Sequence, residues 1–136
     1  MDTLGDAEIV VIGGGSVGCG VVHSLCQAGK TDVLLLEKND ALASETTSQA
    51  AGLVGQVRTS IERVQLAMWS VKTFSEMEAE PKAKPGWRQV GSLRVALTDE
   101  RVAEFEQMKT VANEADLETE FISNDEASAM WPMFDF

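Results

Sequence analysis

Behind a short polar lead, the chain enters a short apolar run, AEIVVI at residues 7–12, which stops at three consecutive glycines. An apolar run of that length predicts a strand buried on both faces. From Ser16 to Ala28 the apolar residues Val17, Val21, Val22 and Leu25 share one stripe, which predicts a helix stopped by Gly29. DVLLLE, residues 32–37, is a second buried strand. Strand, glycine turn, helix and strand within about thirty residues make a βαβ unit.

The helical rhythm returns after a stretch of small residues. Thr59 and Glu62 have the spacing of a capping box, and Ile61, Val64, Met68, Val71 and Phe74 recur at helical intervals to about Glu80. PKAKPG, residues 81–86, cannot continue a helix and reads as a linker. Beyond it, WRQVGSLRVAL predicts a strand or a hairpin broken at Gly91. Asp99 to about Glu114 predicts a helix carrying Val102, Phe105, Met108 and Ala112, and ETEFIS a short strand. Ser123 and Glu126 repeat the capping-box spacing ahead of a last helical turn ended by Pro132.

These elements predict an α/β fold: a Rossmann-like βαβ unit within residues 1–80, a linker at 81–86, and from 87 to 136 the start of an α+β domain. One βαβ unit has too few parallel strands for a finished nucleotide-binding sheet, so the chain is expected to be the front part of a longer protein.

Composition narrows the partners. Eleven Lys and Arg against 22 Asp and Glu leave a net charge of −11, which opposes both a nucleic-acid backbone and an anionic membrane surface. No run approaches the ~20 apolar residues of a membrane helix, and MDTLGDAE lacks the basic region of a leader, so a cytoplasmic location is expected. Cys19 and Cys26, on one predicted helix, stand about 10 Å apart and are read as reduced packing residues. His23, the single histidine, has no ligand partner at useful spacing, so no metal site is expected.

The chemistry lies in IGGGSVG. Gly13, Gly15 and Gly18 have the G-x-G-x-x-G spacing between a predicted strand and a predicted helix. In that arrangement Gly13 makes the tight turn and Gly15 lets a pyrophosphate approach the backbone, while Gly18 lets helix and strand pack closely. The N–H groups of Ser16, Val17 and Gly18 at the helix start would receive the anion. Glu37 closes the second strand 19 residues after Gly18, where a carboxylate can accept from both ribose hydroxyls and disfavours a 2′-phosphate. Glycine turn and carboxylate together point to an adenine dinucleotide, with NAD and FAD both open.

ETTSQAAGLVGQVR, residues 45–58, favours the flavin. A broad tricyclic ring needs main-chain N–H groups at its edge and side chains that stay clear. Ala50, Ala51 and Gly52 meet that need, and Thr46, Thr47 and Ser48 offer hydroxyls. The motifs VVIGGGSVG, LLLEK, TTSQAAGLVGQVR and PGWRQVGSLRVA, with the turn around SNDEASAMWP, resemble the FAD-dependent amine dehydrogenases of the sarcosine and dimethylglycine dehydrogenase type, within the D-amino-acid-oxidase-like flavoproteins. The pairing of T-x-x-A-A-G-L with G-W-x-Q-x-G-S-L is more particular than the glycine motif. The resemblance extends the expected cofactor site to Lys38, Gln49 and Leu53, and it implies that Trp87–Leu97 begins an antiparallel substrate domain over the flavin.

The resemblance also implies oxidation of a small N-methylated amine or amino acid, with hydride passing from the methyl carbon to the flavin. Formaldehyde is then released, or a folate-binding domain further along captures the one-carbon unit. The electron acceptor and the catalytic residues are left unnamed, and the 136 residues alone are expected to be inactive. Arg58, the one charged residue close behind the flavin loop, has two readings: a contact to ring or substrate carboxylate, and a surface position. Where those dehydrogenases carry a flavin-linked histidine before A-A-G-L, this chain has Gln49, preceded by Ser48 where tryptophan is usual. An amide nitrogen is not a nucleophile, so non-covalent FAD is expected. The rival readings are an NAD-dependent dehydrogenase and a nucleotide-binding module without chemistry.

Overall fold

The computed structural model describes residues 6–134 and residue 136. The first five residues, part of the segment read above for a leader, lie outside them, as does Asp135. The chain divides into two compact units, Met1–Leu53 and Val54–Phe136.

In the first unit, β1 (Ile9–Ile12) and β2 (Val33–Leu36) pair in parallel, Ile9 opposite Val33 through Ile12 opposite Leu36, with α1 (Ser16–Gln27) between them in sequence. This is the expected βαβ unit. The helix ends in a Schellman motif: Gly29, at φ +82°, donates to the Cys26 carbonyl at 3.0 Å and Lys30 to that of Leu25 at 3.0 Å. A residue without Cβ occupies that left-handed position at little cost.

Two expectations about burial change. The predicted stripe had Val17 and Val21 facing inward, whereas both are exposed and Gly18, Val22 and Leu25 turn toward the sheet. Gly18 sets this rotation, because its backbone packs onto the glycine turn and β1, bringing the Gly18 face of the helix inward. Nor is β1 buried on both faces: Val10 and Ile12 are 49% and 84% exposed, since a single crossover helix covers only one face.

The second unit contains α2 (Ile61–Ala79), α3 (Asp99–Glu114) and α4 (Asn124–Met130), with α2 packed on α3. The predicted α2 stripe is the inward one. Val64 is fully buried and Val71 nearly so, with Ala67 beside them, and Ala112 and Ala115 contribute from the end of α3. The N-cap of α2 is Ser60, so the expected Thr59–Glu62 box is not formed. The Ser123–Glu126 box is: the Ser123 hydroxyl accepts from the Glu126 N–H at 3.2 Å and Glu126 Oε2 accepts from the Ser123 N–H at 2.8 Å.

Residues 81–86 fold back on α2. Glu78 Oε2 accepts from the N–H groups of Gly86 and Trp87, both at 2.8 Å, and the Trp87 ring stacks on Phe74 at 5.4 Å. The strands expected at 87–97 and in ETEFIS are not formed among the described residues. A strand is fixed by its ladder, and these segments find no partner to pair with. Among the described residues no helix is long and apolar enough to cross a membrane.

Candidate functional site

The first unit gathers its chemistry where β1 and β2 end. Gly13 leaves β1 at φ +101° while its N–H still donates to the Leu36 carbonyl at 2.8 Å, so the turn begins with the ladder intact. A Cβ at Gly18 would overlap the Gly13 carbonyl oxygen, which is the close approach expected from the glycine spacing.

Glu37 is fastened to this turn. Its Oε2 accepts from the Gly14 N–H at 2.7 Å and its Oε1 from the Asn39 N–H at 2.9 Å. Both bonds favour the charged form, Asn39 more than Gly14, and hold the carboxyl below its usual range. Each oxygen retains a further acceptor direction, so the carboxylate can still receive hydroxyl donors.

Gly14, an unassigned position in the motif, is the one buried glycine of the turn. Besides holding Glu37, its carbonyl accepts from the Ala43 N–H at 2.9 Å and from Cys19 Sγ at 3.3 Å. That places Cys19 in the support of the turn, beyond the packing role read from sequence.

Gly15, the N-cap of α1, has no side chain with which to cap the helix. Thr47 supplies the missing acceptor from the following loop, its Oγ1 receiving the Ser16 N–H at 3.1 Å. One of the donors expected to be free for an anion is thus engaged, by a hydroxyl that still carries a hydrogen to donate.

A cavity of about 350 Å³ opens here, walled by Ile12, Gly13, Gly15, Leu36, Glu37, Lys38, Asn39, Ala43, Ser44, Glu45, Thr46 and Thr47. Six residues expected at a cofactor therefore meet around one space: Gly13, Gly15, Glu37, Lys38, Thr46 and Thr47. Its size is at the low end for ligand sites, about 300 to 1,000 Å³, and suits one end of a dinucleotide. The residues fit such a group: a strand-end carboxylate, a turn with bare backbone and two hydroxyls converge on it.

Other expected residues stand apart. Val17 is exposed on α1, and Gly18 packs beneath the turn. The Ser48 hydroxyl donates to the carbonyls of Glu45 at 2.7 Å and Ser44 at 3.1 Å, which commits it within its own turn. Gln49, Ala51, Gly52 and Leu53 are exposed outside the cavity, Gly52 at φ +70°. Sequence reasoning missed Asn39, Ser44 and Glu45 as cavity walls, although the Asn39-Asp40 pair shortly after the strand end was a turn signal.

In the second unit, the Arg58 guanidinium donates to the Val57 carbonyl at 2.8 Å, and Arg94 donates to that same oxygen at 3.1 Å. Arg58 thus helps to fix its own loop. A larger cavity of this unit, about 470 Å³ between residues 90–93 with Val95 and Trp131, Phe134 and Phe136, has no charged side chain among its described walls. It offers an ionic or nucleotide ligand little.

The model of the family described as "FAD dependent oxidoreductase" matches residues 8–136. The chain is 36% identical over 124 residues to 4-methylaminobutanoate oxidase (formaldehyde-forming) of Paenarthrobacter nicotinovorans, covering 91% of this chain and 15% of that protein. It is 36% identical over 127 residues to mitochondrial dimethylglycine dehydrogenase of Rattus norvegicus, covering 93% of the chain and 15% of the relative. Against mitochondrial sarcosine dehydrogenase of Homo sapiens it is 34% identical over 128 residues, covering 93% and 14%. The chain spans about 15% of the length of the curated relatives it matches.

Proposed function

The chain belongs to the FAD dependent oxidoreductase family, and from that premise we propose that it holds the adenosine end of FAD, with Glu37 on the ribose and the glycine turn toward the diphosphate, in a protein that oxidises an N-methylated amine or amino acid. The observation that carries this is the Glu37 carboxylate, which is tied to the Gly14 N–H and lines the same cavity as Gly13 and Gly15. The three relatives, named for methylaminobutanoate, dimethylglycine and sarcosine, supply the substrate class.

When bound, FAD supplies the hydride acceptor. The chain's own residues bind and orient it. Glu37 presents two acceptor oxygens in a fixed direction, and the backbone at the start of α1, apart from the Ser16 N–H that Thr47 engages, presents donors and the positive helix end to a diphosphate. Thr46 and Thr47 line the cavity with hydroxyls. Gln49, in the place of a linking histidine, leaves the cofactor non-covalent.

In this reading residues 1–80 belong to the FAD-binding domain, and 87–136 enter an antiparallel substrate domain whose ladder partners come from further chain. A folate-binding domain is a natural recipient of the one-carbon product.

The test is anaerobic addition of sarcosine, dimethylglycine or 4-methylaminobutanoate to the full-length protein. Bleaching of a flavin band by one of these amines supports the reading, and acid precipitation should leave the yellow colour in the supernatant. A colourless protein that binds NAD would favour the dehydrogenase alternative, and a yellow one that no amine reduces would favour a binding module.

A further inference from the structure

Asn39 joins the two walls of the cavity. Its backbone N–H holds Glu37 Oε1 at 2.9 Å, while its side-chain Nδ2 donates to Glu45 Oε1 at 3.1 Å and Ser44 Oγ at 3.3 Å on the opposite wall. An ionised carboxylate only accepts, so the end of the amide that faces Glu45 must be its NH2 group. Lys38 reaches the same Glu45 oxygen at 2.9 Å, and both contacts are exposed, where each alone contributes little in water. Lys38 and Asn39 thus hold Glu45 together, and Asn39, which also holds Ser44 and Glu37, is the member that ties the 44–45 wall to the Glu37 side.

We infer that Asn39 is a positioning residue for the bound dinucleotide: its neutral amide holds Glu45 and Ser44 at a set distance from Glu37, which shapes the cavity for the adenosine end of the cofactor. Two carboxylates, Glu37 and Glu45, face one space, and they repel each other. A neutral donor between them relieves this, whereas a third carboxylate would add to it. The inference rests on the FAD reading above.

The experiment is titration of the chain with FAD and with ADP, followed by flavin fluorescence and by calorimetry, for wild type, Asn39→Ala, Asn39→Ser and Asn39→Asp. Losing two side-chain hydrogen bonds should weaken both ligands by about tenfold in Asn39→Ala, with the unfolding midpoint of the ligand-free protein nearly unchanged. Asn39→Ser, which retains one donor, should fall between. Asn39→Asp should bind worst near pH 7 and recover toward wild type only as the pH falls to about 4, the ordinary aspartate range, where a protonated carboxyl can donate again. A purely structural role would not produce that pH dependence. Wild-type affinity for both ligands in Asn39→Ala and Asn39→Asp would overturn this inference alone. A wild-type chain that binds neither FAD nor ADP would overturn the FAD reading and this inference with it.

Discussion

The α-carbon of Gly18 lies so close to the carbonyl oxygen of Gly13 that a Cβ at position 18 would overlap it. The obstacle is backbone that also carries the ladder bond from the Gly13 N–H to Leu36, so it cannot swing aside as a flexible side chain could.

Gly18→Ala should therefore lower the unfolding free energy by about 3 kcal/mol, at the upper end of the cost of forcing atoms into packed space. Gly20, two residues along the same helix, has nothing within 4 Å of its added Cβ. Gly20→Ala should raise stability by about 1 kcal/mol through helix propensity alone. Denaturant midpoints of the pair check this, and equal effects of either sign would contradict the packing argument.

Much of the first unit was legible because its signals are local. Three glycines at fixed spacing and two apolar runs place β1, α1 and β2 within a residue or two. The face of α1 was misread because hydrophobicity favoured Val17 and Val21, while the bare backbone of Gly18 decides which side approaches the sheet. Asn39, Glu45 and the capping role of Thr47 depend on turns at 38–49, which have no periodicity to read. At 87–97 the alternation was real, but a strand also needs a neighbour.

Acid should act on Glu37 in a defined direction. Its folded value is depressed, so its contribution is complete above the ordinary glutamate value of about 4.3 and drains as pH falls through the lower folded value. Glu45, Glu62, Glu100 and Glu126 are depressed as well, so the acid limb of the wild type mixes several groups. The stability gap between wild type and Glu37→Gln isolates one. It should be constant from about pH 5.5 to 7 and narrow below about pH 4.3; a gap unchanged down to about pH 3 would contradict the assignment.

Asp116 ends α3 in the left-handed region at φ +58°, where the Schellman bonds run from Leu117 to the Ala112 carbonyl at 2.9 Å and from Asp116 to that of Asn113 at 3.1 Å. A side chain in this conformation costs about 1 kcal/mol, and a negative charge at a helix C-terminus adds a few tenths. Asp116→Gly removes both and should stabilise by about 0.5–1 kcal/mol, net of the freedom glycine gains in the unfolded chain. Asp116→Ala keeps the Cβ and should gain less, as urea unfolding of the two variants would show.

The cavity between the glycine turn and Glu37 is proposed to receive the adenosine end of FAD. The most direct test is equilibrium titration of the protein with FAD, followed by flavin fluorescence, for wild type and for Glu37→Gln. Saturable binding by wild type, displaced by ADP, released on acid precipitation and at least tenfold weaker in Glu37→Gln, is the expected result. Unsaturable binding, or equal affinity in the two proteins, would contradict it.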